Sequence, residues 1–208
     1  LSHRKIDLAG CQANVIRVSF AGEAGFEIHC RMDVVVAVYD VVMAAGAAHQ
    51  LRPFGMLALD SMRLEKGYRS WKSDLTSDYT MLESGLGRWV KFDKADFVGR
   101  VALQAEHQAG SQRQFVTLTL DDPTDDNADP FGEAVYLSVV QCDGVDAGLV
   151  VSSGYGHRVG KSIAMVVVDK DKLAYAGQIT VTVLGRQRAA HLVSAQVLYD
   201  PNNEKLRG

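Results

Sequence analysis

The last hundred residues constrain the fold more than any other part of the chain. From Gln112 onward they break into short apolar runs: QFVTLTL, AVYLSVV, GLVVSS, KSIAMVVV, QITVTVL and AAHLVSAQVLY. Gly132, Gly144, Gly154, Gly160, Gly177 and Gly185 lie between or just before these runs. Residues with a taste for extended backbone, punctuated at this spacing by turn formers, predict an antiparallel barrel or sandwich.

The first half has a different grain. Residues 14–20, NVIRVSF, alternate, and so do 26–30, FEIHC; the glycine-bracketed AGEAG between them is turn chemistry. This predicts a β-hairpin with Glu27 and His29 on the face away from the core. Residues 33–45 predict a helix capped by Asp33 and closed by Gly46. Pro53 biases Arg52 toward extended backbone. A second helix follows, with Met56, Leu59, Met62 and Leu64 on its apolar side, Asp60, Arg63 and Glu65 polar, and Gly67 ending it in the left-handed region. Gly85 and Gly87 predict a turn before a strand RWVKF, and 98–109 a helix ended by Gly110. A domain boundary is expected near Gly110–Arg113, giving an α+β part over 1–110 and a β part over 111–208.

Composition excludes some functions. A net charge of −3, with 22 basic and 25 acidic residues and no long basic run, argues against a nucleic-acid partner. No apolar run approaches a membrane span, and no signal peptide is present. Cys11, Cys30 and Cys142, odd in number and far apart, read as reduced thiols. The run GYGHRVGKS imitates a phosphate loop, but the first glycine of that pattern falls on Tyr155 and a strand-like segment follows. The acidic stretch DDPTDDNADP places Asp125, Asn127 and Asp129 like the start of a calcium loop, yet Pro130 and Tyr136 stand where glycine and glutamate belong. The six histidines show no ligand spacing, so no metal site is expected.

Two places carry candidate chemistry. Glu27, on the open face of a strand beside a glycine-rich turn, can accept two parallel N–H bonds from an amidine-like ligand edge such as a pterin or guanine ring. The stretch Leu59–Leu75, LDSMRLEKGYRSWKSDL, crowds Tyr68, Arg69, Trp71, Lys72 and Asp74 into a turn after its helix. Each has a plainer reading, a solvated carboxylate and a salt-bridged loop.

In order along the chain, FAGEAGFEI (20–28), DSMRLEKGYRSWKSDLT (60–76), LESGLGRWVKFDKADFVGRVAL (82–103) and SSGYGHRVGKSIAM (152–165) resemble motifs of the glycine-cleavage T-protein, or aminomethyltransferase, family. RLEKGYRSW together with SGYGHRVGKSIA is closest to the tetrahydrofolate-binding C-terminal region of dimethylglycine and sarcosine dehydrogenases. The resemblance implies the later part of a folate-binding domain followed by a small antiparallel β-barrel. It implies transfer of a one-carbon unit to tetrahydrofolate from a small methylated amine or aminomethyl donor. In the dehydrogenase branch, FAD belongs to a separate upstream domain. Glu27 falls on the family position that grips the pterin. Tyr68, Arg69, Trp71 and Arg88 are candidates to line the pocket. Leu59, Arg88 and Val167 depart from an Arg, an aromatic residue and a Tyr of the glycine-cleavage members.

The family's catalytic Asp is expected upstream of Leu1, so no catalytic residue is assigned here and the chain alone is expected to be inactive. It begins without Met and reads as a piece of a longer protein, in the cytoplasm or a mitochondrial matrix. Apolar surface left open by a missing part makes a dimer an expectation. The alternative to an enzyme part is a non-catalytic folate-binding or scaffold relative.

Overall fold

The computed structural model describes residues 2–8, 10–121, 132–194 and 197–208. Most of the acidic stretch 121–130, with the calcium-loop imitation it contains, lies outside the described residues. The chain divides into two units, 1–63 with 200–208, and 64–199.

The first unit opens with β1 (Ser2–Leu8) and β2 (Cys11–Arg17), antiparallel in register from Ser2 opposite Arg17 to Leu8 opposite Cys11. The sequence reading does not anticipate β1. Its alternation places Lys5 and Asp7 among apolar neighbours without a clear buried face. β3 (Glu27–His29) pairs antiparallel with β2, Ile16 facing Glu27 and Asn14 facing His29. The predicted hairpin is therefore present, although only three residues of its second strand pair.

A 3₁₀ turn (Met32–Val34) leads into α1 (Val35–Gly46), and another (Ala47–His49) follows it. Asp33 does not cap α1. It lies within the 3₁₀ turn, its carboxylate taking hydrogen bonds from Arg31 Nε at 2.9 Å and Nη2 at 2.7 Å. Gly46 does not end the helix in left-handed geometry; Gln50 takes that conformation, at φ 58°. A Cβ on Gly46 would lie 2.4 Å from Leu51 Cδ2, so close packing explains this glycine better than backbone freedom does.

Contrary to the sequence reading, Met32–His49 is long and apolar enough, by length and composition, to cross a membrane, and it is 6% buried. Met32, Val36 and Tyr39 are exposed on it.

α2 (Met56–Glu65) carries the chain from the first unit into the second. Its polarity follows the expected one only in part: Leu64 is buried and Leu59 and Met62 half-buried, but the outer and inner ends break the pattern. Met56 and Leu57 are exposed, whereas Arg63, Glu65 and the following Lys66 are 3%, 0% and 3% exposed. Each buried charge has its own partners, so its desolvation is offset by fixed donors and acceptors rather than by water.

The second unit continues through irregular chain to a 3₁₀ turn (Gly87–Trp89), where a strand RWVKF was expected. The turn closes with Val90 N donating to Gly87 O at 3.0 Å. α3 (Arg100–Ala109) ends at Gly110 in positive φ, as predicted.

Six strands then close a barrel: β4 (Arg113–Leu120), β5 (Val139–Cys142), β6 (Val145–Gly156), β7 (Lys161–Asp169), β8 (Ile179–Val183) and β9 (Arg186–Leu192), in the order β4-β7-β6-β5-β8-β9. A helix α4 (Lys170–Ala174), unforeseen in the sequence, follows β7 with Asp169 as its cap, the side chain accepting from Asp171 N and Lys172 N. Of the run 134–140 only its last two residues join a strand. A short α5 (Glu204–Arg207) belongs to the first unit, where Ala24 N donates to Lys205 O at 3.0 Å.

The period of two sorts the barrel's side chains into two layers. Val116, Leu118 and Leu120 of β4 meet Val150, Ala164, Val166, Val168, Val181 and Ala190 in one core. Phe115, Val151, Ile163, Met165 and Val167 point the other way and form a second cluster with Leu64. β7 is thus buried on both faces, which accounts for an apolar run where a one-sided strand would alternate. Burying its seven residues Ser162–Val168 is worth on the order of 1.5–3 kcal/mol for each large side chain.

Candidate functional site

Glu27 sits on β3 with its side chain 58% exposed, and His29 Nε2 lies 3.1 Å from its Oε2. The strand puts the two on one face, as the alternation predicts. This open carboxylate is free to exchange water for a ligand's paired N–H donors.

The other candidates belong to the second unit. Gly67, at φ 72°, turns the chain off α2, and its N–H donates to Leu64 O at 3.0 Å. The segment after it is tied by Asp74. The buried carboxylate of Asp74 accepts from Ser70 N at 2.7 Å, and Asp74 N and Leu75 N both donate to Ser70 O. This closed turn leaves Tyr68 half-buried and Trp71 75% exposed.

Arg69 runs inward, its guanidinium 4.1 Å above the ring of Phe115. Its Nε has no hydrogen-bond partner among the described residues. Gly85 makes room for it, since a Cβ there would lie 2.6 Å from Arg69 Nη2. Burial lowers the Arg69 pKa from its ordinary value; Asp74 counters this and the charge of Arg88 adds to it. Arg88 is exposed and lies over its neighbour Trp89, 5.0 Å from the ring centre. The fold therefore brings Arg69 and Arg88 into each other's field. Glu27 lies in the other unit.

Sequence reasoning missed a fully buried charge. Glu65 accepts from Arg158 N at 2.6 Å, from Val159 N at 3.3 Å and from Arg158 Nε, while its own carbonyl takes Leu198 N and Tyr199 N at 3.0 and 2.9 Å. The Arg158 guanidinium lies 3.7 Å above the ring of Tyr199. Three segments distant in sequence are thus joined at one residue, two of them through its carboxylate and the third through its main-chain carbonyl. The only sequence signal is that Glu65 and Arg158 each stand in a motif, RLEKGYRSW and SGYGHRVGKSIA; nothing local pairs them.

A second ion pair links Glu83 to Arg113, Oε1 to Nε at 2.9 Å. Burial pushes the Glu83 carboxyl up, but the hydrogen bonds from Arg113 and Thr80 outweigh it and hold the carboxyl below its ordinary range. Of the departing positions, Leu59 is half-buried on α2 and Val167 is buried in the second apolar cluster. Among the described residues, no group of three or more His, Cys, Asp or Glu could hold a metal ion.

A mixed helix-and-strand unit followed by a closed six-stranded antiparallel barrel defines the class: a T-protein-like domain with its barrel. Residues 1–94 match the GCVT N-terminal domain, and 113–200 the glycine cleavage T-protein C-terminal barrel domain. The chain belongs to the glycine-cleavage T-protein family.

It is 32% identical to human mitochondrial dimethylglycine dehydrogenase over its whole length, covering 23% of that protein. It is 35% identical to human mitochondrial sarcosine dehydrogenase, again over its whole length and covering 22% of the relative. An aminomethyltransferase of Caldanaerobacter subterraneus is 29% identical over 97% of the chain and 51% of the relative. The crystal structure of aminomethyltransferase T from Bartonella henselae superposes with a TM-score of 0.74 over 89% of this chain and 50% of that one, at 24% identity, and so shares the fold. The chain spans about a quarter of the length of the dehydrogenases and about half that of the aminomethyltransferases.

Proposed function

We propose that this chain supplies tetrahydrofolate-binding residues to an enzyme that moves a one-carbon unit from a small methylated amine or aminomethyl donor. The membership of the family and the names of its dehydrogenase and aminomethyltransferase relatives support the reading. When bound, tetrahydrofolate supplies the nitrogens that accept the one-carbon unit.

The chain's own part is to bind and orient. Glu27 accepts the paired N–H donors of the pterin edge, a carboxylate–amidine match that fixes the ring as well as holding it. Tyr68, Arg69, Trp71 and Arg88 are the further candidates for folate binding and offer aromatic faces and guanidinium donors. The donor set suits the ligand: an open carboxylate for the amidine edge and, on Arg69, a buried N–H without an acceptor among the described residues. No catalytic residue is assigned within the chain. The reduced thiols Cys11, Cys30 and Cys142 suit a cytoplasmic or matrix compartment.

The observation that carries this reading is the solvent-facing carboxylate of Glu27 in the FAGEAGFEI hairpin. Calorimetric titration of tetrahydrofolate into the wild-type protein and Glu27→Gln tests it. The expected result is at least tenfold weaker binding in the variant, because the amide oxygen accepts only one of the two N–H bonds and adds a clashing donor. Equal affinity removes Glu27 from the site.

A further inference from the structure

We propose that α5 is a latch that holds the FAGEAGFEI hairpin in the geometry its carboxylate needs, and that Arg17 is the positioning residue through which it acts. This rests on the reading of Glu27 as the pterin anchor.

The ladder by itself gives Glu27 little support. β2 ends at Arg17 and β3 begins at Glu27, so residues 18–26 lie outside the paired strands. Three residue pairs join β2 to β3, and Glu27 stands at the end of them, opposite Ile16. Phe20, Phe26 and Glu27 are exposed, so apolar packing does little to fix the connection. Gly25 lets its returning arm press on the outgoing one: a Cβ there would lie 3.0 Å from Val18 O and 3.3 Å from Ser19 Cβ.

α5 ties both arms. Ala24 N, on the returning arm, donates to Lys205 O at 3.0 Å. Arg17 Nη2, on the last residue of β2, donates to Arg207 O, 190 residues further along the chain. Gly208 lies against both, since a Cβ on it would be 3.6 Å from Ala24 Cβ and 3.7 Å from Arg17 Nη2. Asp200 holds α5 in turn. Its carboxylate accepts from Glu204 N at 2.7 Å and Leu206 N at 3.2 Å, and its carbonyl from Asn203 N at 3.0 Å. These bonds fix the turn that aims the Lys205 and Arg207 carbonyls at the hairpin.

Pleating sets Ile16 and Glu27 on one face of the sheet and Arg17 on the other. Arg17 and α5 therefore back the hairpin and leave the face of Glu27 open. A carboxylate that must meet two parallel N–H donors at once loses the match when its strand rotates. A hairpin ordered before the ligand arrives has less entropy to lose on binding.

The test is calorimetric titration of tetrahydrofolate into the wild-type protein, Arg17→Met, Arg17→Lys and Asp200→Ala, each with and without Glu27→Gln, together with amide hydrogen exchange of peptides covering 20–28. Exchange at Ala24 is expected to rise about tenfold in Arg17→Met and Asp200→Ala, with the barrel strand β7 as protected as in the wild type. Tetrahydrofolate affinity is expected to fall about three- to tenfold in both variants. Arg17→Lys, whose ammonium still donates to a carbonyl, should recover most of it. In the Glu27→Gln background the same changes should alter affinity by less than about twofold, because no paired acceptor is left to aim. Unchanged exchange at Ala24 in Arg17→Met and Asp200→Ala overturns the latch. Faster exchange with unaltered affinity, or an equal loss with and without Glu27→Gln, overturns the positioning role and leaves Arg17 a purely structural residue. Equal affinity of the wild type and Glu27→Gln removes the pterin anchor, and the positioning role with it, while the exchange rates still decide the latch.

Discussion

The carboxylate of Glu65, with no exposed side-chain surface, is held by both the main-chain amide and the guanidinium of Arg158, 93 residues further along the chain. The pair closes the end of α2 onto the corner between β6 and β7. Breaking a buried ion pair costs about 3–5 kcal/mol, because the remaining charge loses its compensation. Arg158 keeps some exposure, so the lower end applies. Arg158→Met should lower the urea unfolding free energy by about 3 kcal/mol. A double-mutant cycle with Glu65→Leu should show a coupling of about 1–3 kcal/mol between the two positions. Additive effects would mean that the contact contributes nothing as a pair.

Glu83 and Arg113 give the protein an acid-sensitive joint. The Glu83 carboxyl lies below its ordinary 4.5 in the folded state, so it binds fewer protons than the unfolded chain does. Its contribution is therefore complete above the unfolded value and fades as pH falls from about 4.5 through the lower folded value. Glu83→Gln should flatten the loss of thermal stability between about pH 5 and pH 3 relative to wild type. Melting temperatures taken across that range check it; identical pH profiles would remove Glu83 from the acid response.

Two barrel glycines should respond differently to the same methyl group. At Gly148 a Cβ would lie 2.3 Å from the carbonyl oxygen of Val167, a backbone atom that cannot step aside. At Gly154 the neighbour is the end of Leu64, at 3.0 Å. Gly148→Ala should cost about 3 kcal/mol or more, at or above the upper range of overpacking, and Gly154→Ala about 1 kcal/mol. Chemical denaturation of both variants tests the ranking, which an equal cost would contradict.

Glu27→Gln separates binding from stability. The side chain is exposed and its contact with His29 is a surface pair, so unfolding free energy should stay within about 0.5 kcal/mol of wild type. A larger loss would mean that Glu27 holds the hairpin rather than a ligand.

Much of the local structure was written in nearest-neighbour pattern. Alternation in 14–20 and 26–30 announced the β2–β3 pairing, and Gly67 and Gly110 announced two helix ends. The errors share a cause. RWVKF has strand composition, but the glycines at 85 and 87 allow a 3₁₀ turn that satisfies the Trp89 and Val90 amides, and no strand among the described residues pairs with the segment. Asp33 was a plausible cap by spacing, but Arg31 two residues earlier takes its carboxylate. α2 was read by helical periodicity with charges outward, a rule that holds when the outside is water.

The sequence by itself determined the strand-rich second half, the helix ends at glycine and the family motifs, because each depends on residues close together along the chain. Only the tertiary structure decided that Arg63 and Glu65 are buried, that Arg158 answers Glu65 across 93 residues, and that Arg69 and Arg88 share a field. Charge pairing across long separations leaves no period in a sequence. Its free energy depends on distance and desolvation, and those exist only once the barrel has closed.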